Sequence, residues 1–308
     1  MRTFCTVITS DFTYYAIALY HSWHRFMDIP MHALIVDRRH DITGYEIPDG
    51  VTLTYLDTLE LNDVEREIIL KYQDNPDGLR WSLKSVWLRS LLTSGGYQQV
   101  IFVDPDMFFF NDPQFLFDEL NEGSILLSPH WRSSDPKKDA FNFELNFRDG
   151  IYNGGFLGAS FGGIPALEWL ARACLHKCEI DHERGLFYDQ KYFDLLPSRF
   201  KDIRILRHKG CNVANWNQVD CIRVLLDDHV LINGTDPVVF IHFTKSTILG
   251  IRNGTDSLLI AYLNEYESTL SRINPSYVGQ VFDNDQKAGH LKKNIFQRVL
   301  LNLISSDK

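Results

Sequence analysis

Two carboxylates one residue apart, Asp104 and Asp106 on either side of Pro105, stand at the end of the apolar run Val100-Ile101-Phe102-Val103, and the chain turns apolar again at Met107-Phe108-Phe109-Phe110. A continuous apolar run reads as a buried strand, and two charges left there without a partner would be very costly. Successive strand side chains face opposite ways, so the turn that Pro105 helps set is what brings both carboxylates toward one cation. Hard oxygen ligands suit Mn²⁺ or Mg²⁺. Turns are also rich in Asp and Pro, so the tripeptide alone reads equally well as a solvated surface turn. The apolar approach on both sides favours the buried site.

A second apolar strand, Val238-Val239-Phe240-Ile241, ends in His242, with Lys245 three residues on. A single histidine there is open between a packed imidazole and a metal ligand, and the lysine is a point charge suited to phosphate. Lys84 sits among Leu83, Val86, Trp87, Leu88 and Leu91; it either snorkels to water or aims its charge at the acidic site. Thr9-Ser10-Asp11 follows the first strand-like segment, where Ser10-Asp11 offers a helix cap and the strand end a nucleoside contact. Asn153-Gly154-Gly155 reads as a bulge or as backbone brought close to a ligand, with the Asn153 amide able to bond sugar hydroxyls. Asp189 and Gln190 lie among aromatics at the start of a helix.

These groups need a scaffold. Strands are expected at Phe4–Thr9, Met31–Val36, Val51–Leu56 and Ser124–Ser128, with later ones within Leu206–Trp216 and at Val230–Ile232; helices are expected at Leu59–Tyr72, Arg80–Thr93, Phe115–Leu120 and Pro165–Cys178. Alternating strands and helices imply a largely parallel sheet whose ligands gather beyond the carboxyl ends of its strands. Residues 130–147 carry Trp131, Arg132, Lys137, Lys138 and Glu144 with no clean period, a long irregular segment that its aromatics mark for acceptor contact. Pro197 is expected to stop the helix that Asp189 opens. In the tail, Leu291, Ile295, Phe296, Val299, Leu300 and Leu303 share one helical face. Docking on its own domain is the default for that helix; the alternative is peripheral membrane contact at a lipid-linked acceptor.

A chain of 308 residues that is 44% hydrophobic can bury a full core. A formal net charge of -9 argues against general nucleic-acid binding, so an anionic ligand must be met by a metal or a local cationic pocket. Five cysteines, an odd number at irregular spacing, suit reduced thiols in a cytoplasm, and Cys174 and Cys178 read as core thiols rather than a zinc site. No apolar signal core opens the sequence and no stretch is long enough to span a bilayer. The expected location is cytoplasmic, extending to the inner face of the membrane if the tail binds there. Asn233-Gly234-Thr235 and Asn253-Gly254-Thr255 read as turns.

Taken in order, Thr9-Ser10-Asp11, Lys84, Asp104-Pro105-Asp106, Asn153-Gly154-Gly155, Asp189-Gln190 and His242-Phe243-x-Lys245 resemble the GT-A glycosyltransferases, above all the glycogenin-like and bacterial galactosyltransferase-like family eight. Gly185-Leu186-Phe187-Tyr188-Asp189-Gln190-Lys191-Tyr192-Phe193 and Asn212-Val213-Ala214-Asn215-Trp216-Asn217 are similar to a group of bacterial nucleotide-diphospho-sugar transferases. The resemblance covers about residues 3–250 and implies a single Rossmann-like α/β domain with a mostly parallel sheet flanked by helices; that domain is expected over residues 1–275, and the amphipathic helix in a tail over 276–308. It implies that Asp104, Asp106 and His242 bind Mn²⁺ or Mg²⁺ beside a nucleotide sugar, most simply a UDP-sugar. Thr9, Ser10 and Asp11 would fall near the nucleoside, Lys84 and Lys245 near sugar or phosphate, and Asn153, Gly154 and Gly155 against the donor. Asp189 and Gln190 would be catalytic, in a transfer to a glycan or glycolipid acceptor with retention favoured over inversion. One departure is that the family has His-Phe-x-Gly-x-x-Lys-Pro-Trp here, whereas this chain has its lysine early and no Pro-Trp. Of the rivals, a haloacid-dehalogenase-type phosphatase also uses Asp-x-Asp after a strand but leaves His242 unexplained; a non-catalytic sugar-nucleotide-binding module would use the same residues without turnover.

Overall fold

A computed structural model describes residues 1–277 and 279. The first seven strands are β1 (Arg2–Ile8), β2 (Met31–Ile35), β3 (Val51–Tyr55), β4 (Gln99–Val103), β5 (Met107–Phe109), β6 (Ile125–Pro129) and β7 (Tyr152–Ser160). The central sheet has seven strands in the order Ile203–Ile205, β6, β7, β4, β1, β2, β3. All neighbours run parallel except β7, which is antiparallel to both β4 and β6. That reversal places the first residues of β7 at the edge where β1 and β4 end.

The apolar runs fill both faces because strand side chains alternate. Cys5, Val7, Val100 and Phe102 join one core, while Phe4, Ile8, Ile101 and Val103 join the other. The helices that cover these faces are α1 (Thr13–His24), α2 (Asp63–Tyr72), α3 (Pro76–Ser82), α4 (Lys84–Thr93), α5 (Gln114–Glu119), α6 (Ala140–Arg148), α7 (Ile164–His176) and α8 (Gln190–Phe193). The first core takes residues from α2, α3, α4, α7 and α8, and the second from α1 and α5. The expected mixed α/β, mostly parallel sheet flanked by helices is the fold observed.

Several local expectations are corrected. The helix expected over Arg80–Thr93 is two helices that break at Leu83. The first of them starts upstream of the expected segment, where Asn75 caps α3 by accepting from the Gly78 amide at 3.0 Å and Pro76 occupies the first turn. α2 begins at Asp63 rather than Leu59 because Asn62 and Glu65 form a reciprocal capping box. Ser10-Asp11 does not cap α1 through a side chain; a short 3₁₀ turn, Ser10–Phe12, leads in instead. The Ser10 hydroxyl is already committed, donating to Asp37 Oδ1 at 2.7 Å and accepting from the His40 amide at 3.0 Å.

Residues 130–147 are not irregular throughout, since Asp139 caps α6 within them. Pro197 does not end α8; it sits in the first turn of a separate short helix, Leu196–Arg199. The edge strand is Ile203–Ile205, ahead of the expected Leu206–Trp216, which is mostly loop. The Val230–Ile232 segment does form a strand, His229–Ile232, in a separate small antiparallel sheet. Asn233 and Gly234 adopt φ of 55° and 77° and Gly254 one of 76°, so both Asn-Gly sites are left-handed turns. Cys174 and Cys178 are buried free thiols. The compact unit spans Met1–Asn274, the expected tail helix lies outside the described residues, and among those described no helix is long and apolar enough to cross a membrane.

Candidate active site

β4 ends at Val103 and the chain turns through Asp104-Pro105-Asp106 into β5, which leaves the main sheet to pair antiparallel with the strand Phe240–His242. Residue pairing sets Met107 opposite His242, and the Phe243 amide donates to the Asp106 carbonyl at 2.9 Å. A pairing between segments more than a hundred positions apart therefore delivers the imidazole to the acids. Ligand atoms of Asp104, Asp106 and His242 all lie within 4.8 Å of one another, and His242 Nε2 is 3.1 Å from Asp106 Oδ1. Burial works against the charge of each, yet Asp106 holds the His242 imidazole above its ordinary value and His242 holds the Asp106 carboxyl below its own. Two carboxylates and an imidazole, convergent and partly open, fit a divalent cation such as Mn²⁺.

Beside them is a cavity of about 290 Å³ lined by Lys84, Asp104, Asn153, Gly154, Gly155, Asp189, Gln190 and His242, and walled by Trp81, His130, Arg132, Tyr188, Trp216 and Thr244. Lys84 does not snorkel. Its ammonium donates to the Gly154 carbonyl at 2.8 Å and lies 3.3 Å from Asp189 and 3.8 Å from Asp104. Burial opposes the charge, but the two carboxylates outweigh it and hold the lysine above its ordinary value. Burial pushes the Asp189 carboxyl up to about 6, against the pull of Lys84.

The first residues of β7 are fixed from several sides. Gln190 accepts from the Gly154 amide and donates to the Asp149 carbonyl, each at 2.8 Å. Asn153 Oδ1 accepts from the Gly155 amide at 2.6 Å, and its Nδ2 lies 3.1 Å from Asn212 Oδ1 and 3.3 Å from His242 Nδ1. A Cβ at Gly155 would meet Asp104 Oδ2 at 2.7 Å and Met107 Cε at 2.8 Å, so any side chain here must push the acid and the methionine aside. Gly155→Ala is expected to leave the strand formed, because Gly155 pairs in extended backbone. It should displace the Asp104 carboxylate and weaken Mn²⁺ binding roughly tenfold or more, read by calorimetric titration.

Not every expected residue reaches this cavity. Thr9, Ser10 and Asp11 lie at the same sheet edge but outside its lining; Ser10 and Arg39 there hold the Asp37 carboxyl below its usual value in spite of burial. Lys245 is the exposed first residue of the helix Lys245–Arg252, and Thr244, which caps that helix, faces the cavity instead. Of the wall residues, Trp81 carries no expectation from the sequence, while His130 and Arg132 fall in the segment marked for acceptor contact. Trp81 packs against Tyr188 with the two rings tilted by 38°. Arg132, which burial lowers to about 10 against the pull of Asp149, ties the Leu145 and Gly150 carbonyls at 3.0 and 2.8 Å. His130 is held well below its ordinary value by burial and the neighbouring Arg132. Trp131 and Tyr188 take φ of 52° and 49° beside the site, a region bulky residues rarely enter without constraint. No local pattern announces such positions.

No protein-family profile matches the chain. Two relatives from Bacillus subtilis (strain 168) align over most of it. Uncharacterized protein YfnF is 26% identical over 307 residues, covering 92% of this chain and 99% of that protein. Uncharacterized protein YfnD is 27% identical over 283 residues, covering 89% and 87%. Among solved structures, galactosyltransferase LgtC in complex with donor and acceptor sugar analogs superposes with a TM-score of 0.52 at 12% identity, covering 89% of this chain and 96% of LgtC. The chain has the GT-A fold. Mouse xyloside xylosyltransferase 1, in its apo form, gives a TM-score of 0.50 at 11% identity over 80% of this chain and 99% of its own. At these identities the likeness is one of fold, and the chemistry must be argued from the side chains.

Proposed function

We propose that this chain is a metal-dependent glycosyltransferase that moves a sugar from a nucleoside-diphosphate sugar, in the first instance a UDP-sugar, to a glycan or glycolipid acceptor. The observation that carries the reading is the convergence of Asp104, Asp106 and His242 at the carboxyl edge of a GT-A sheet, beside a cavity holding Lys84, Asp189 and Gln190. Asp104, Asp106 and His242 would hold Mn²⁺ or Mg²⁺, which supplies positive charge for a departing diphosphate. Lys84 adds a fixed cation at the junction of the metal site and the sugar cavity, and stabilises developing negative charge more than the ground state. Gln190, tied at both ends of its amide, and Asn153 offer fixed polar edges to the donor sugar. Asp189 would stand on the far face of that sugar, in keeping with a family-eight course that retains anomeric configuration. A haloacid-dehalogenase-type phosphatase gives His242 no task, and the fold of LgtC over most of the chain argues against it.

The test is a screen of nucleotide sugars for Mn²⁺-dependent release of nucleoside diphosphate, run from pH 5 to 8. Turnover of at least one donor is expected; binding of UDP with no turnover of any donor would support the non-catalytic module instead. Asp189 is ionised above about 6 and gains a proton as the pH falls through that value, which removes the negative charge facing the sugar and its ion pair with Lys84. kcat/KM should therefore fall on the acid side of about 6. In Asp189→Asn that limb should vanish at a lower plateau, and its persistence would assign it to another group.

A further inference from the structure

On that reading of the site, we propose that the acceptor is an oligosaccharide and that the ring next to its accepting sugar stacks on Phe147 and Ile151. α6 buries only Leu145. Phe147 is 68% exposed and Ile151 49%. Phe143 and Phe147, one helical turn apart, meet edge to face at 5.4 Å, which steadies the outer ring. Phe147 and Ile151 are thus two large apolar side chains left exposed four residues apart, next to the segment that lines the cavity.

The pair is joined to the cavity by covalent and hydrogen-bonded links. Ile151 is two residues ahead of Asn153, within about 7 Å along extended chain. Its amide donates to Asp194 at 2.9 Å. Arg132, a cavity-wall residue, holds the carbonyls of Leu145 and Gly150, and Gln190 holds that of Asp149. The aromatic helix is thereby fixed to the groups that would meet the two reacting sugars.

Size and charge choose the occupant. The cavity of about 290 Å³ is at the small end for a ligand site, roughly 300–1,000 Å³, so an acceptor ring beyond the accepting one would lie outside it, and Ile151 is two residues from the lining residue Asn153. Aromatic rings offer an apolar face to the C–H side of a sugar. The flanking charges cancel, Lys137, Lys138 and Arg148 against Asp139, Glu144 and Asp149, which is not the basic face that an anionic membrane selects.

The experiment presents full-length protein, loaded with Mn²⁺ and UDP, to an immobilised panel of defined mono- and oligosaccharides and to phosphatidylglycerol vesicles. Expected is retention of at least one oligosaccharide but not of its terminal monosaccharide, weakened about 3- to 10-fold in Phe147→Ala, the range one aromatic stack supplies. Phe161→Ala, equally exposed but at the opposite end of β7, should bind as the parent does. Equal binding by Phe147→Ala, vesicle binding that depends on Phe147, or capture of no oligosaccharide by protein that binds UDP and turns over a donor would each overturn the inference. Failure to bind UDP at all would fall instead on the glycosyltransferase reading, and the inference would go with it.

Discussion

Asp104→Ala is expected to lower Mn²⁺-dependent donor turnover by about two to three orders of magnitude while the protein stays folded. The size follows from losing one of the groups that neutralise charge as the leaving diphosphate departs, a class of interaction worth about 10²- to 10³-fold. Folding should survive because the structural role of this position is carried by its backbone: the Asp104 amide donates to the Gly155 carbonyl at 2.8 Å, and the Met107 amide to the Asp104 carbonyl at 3.1 Å. The side chain itself is a quarter exposed, and Lys84 retains its closer carboxylate partner, Asp189. Turnover assays alongside thermal unfolding check both halves. Full activity with an unchanged melting temperature would remove Asp104 from the mechanism.

Lys84→Met should have the largest effect on stability, about 3–5 kcal/mol, the usual consequence of stripping the partner from a buried charge. One ammonium serves Asp189, Asp104 and the Gly154 carbonyl, so its removal leaves a carboxylate only 6% exposed with no cation. Lys84→Met with Asp189→Asn should recover part of the loss, because the second change takes away the stranded charge; urea unfolding of the four proteins in the cycle is expected to give a coupling of about 1–3 kcal/mol. The pH dependence gives an independent check. Asp189 is already raised in the folded protein and rises further without Lys84, so the folded state binds more protons than the unfolded one. The stability of Lys84→Met should therefore fall as pH climbs from about 4, the ordinary aspartate value, through the folded value. Strict additivity in the cycle would mean that Lys84 and Asp189 do not form the pair described.

Much of this was readable before the fold because the signals are strong where burial is complete. β1, β2 and β4 are long apolar stretches with no competing period, and Asp104-Pro105-Asp106 stands out as charge at the end of such a stretch. Lys84 stood out for the same reason, although the helix break at Leu83 that exposes its first turn to the site did not. The start of α3 at Asn75-Pro76 is hard to read from sequence, since the same residues also break helices. Long-range pairing is the part that local pattern does not encode. The antiparallel direction of β7, which brings Asn153, Gly154 and Gly155 to the edge where Asp104 lies, is set by neighbours on both sides of it. The anchoring of Asn153 by Asn212, itself at φ 58°, and the tie from Arg132 to the end of α6 depend in the same way on contacts made only in the folded chain. Thr9 to Asp11 and Lys245 lie outside the lining of this cavity, and their contact with a nucleotide remains part of the proposal.

The central claim is that Asp104, Asp106 and His242 together hold one divalent cation. Electron paramagnetic resonance titration of Mn²⁺ against full-length protein in the presence of UDP tests it most directly. One bound Mn²⁺ per chain is expected in the parent, with affinity at least about tenfold weaker in His242→Ala that remains folded. Parental Mn²⁺ affinity in folded His242→Ala, or no bound Mn²⁺ in the parent, would contradict it.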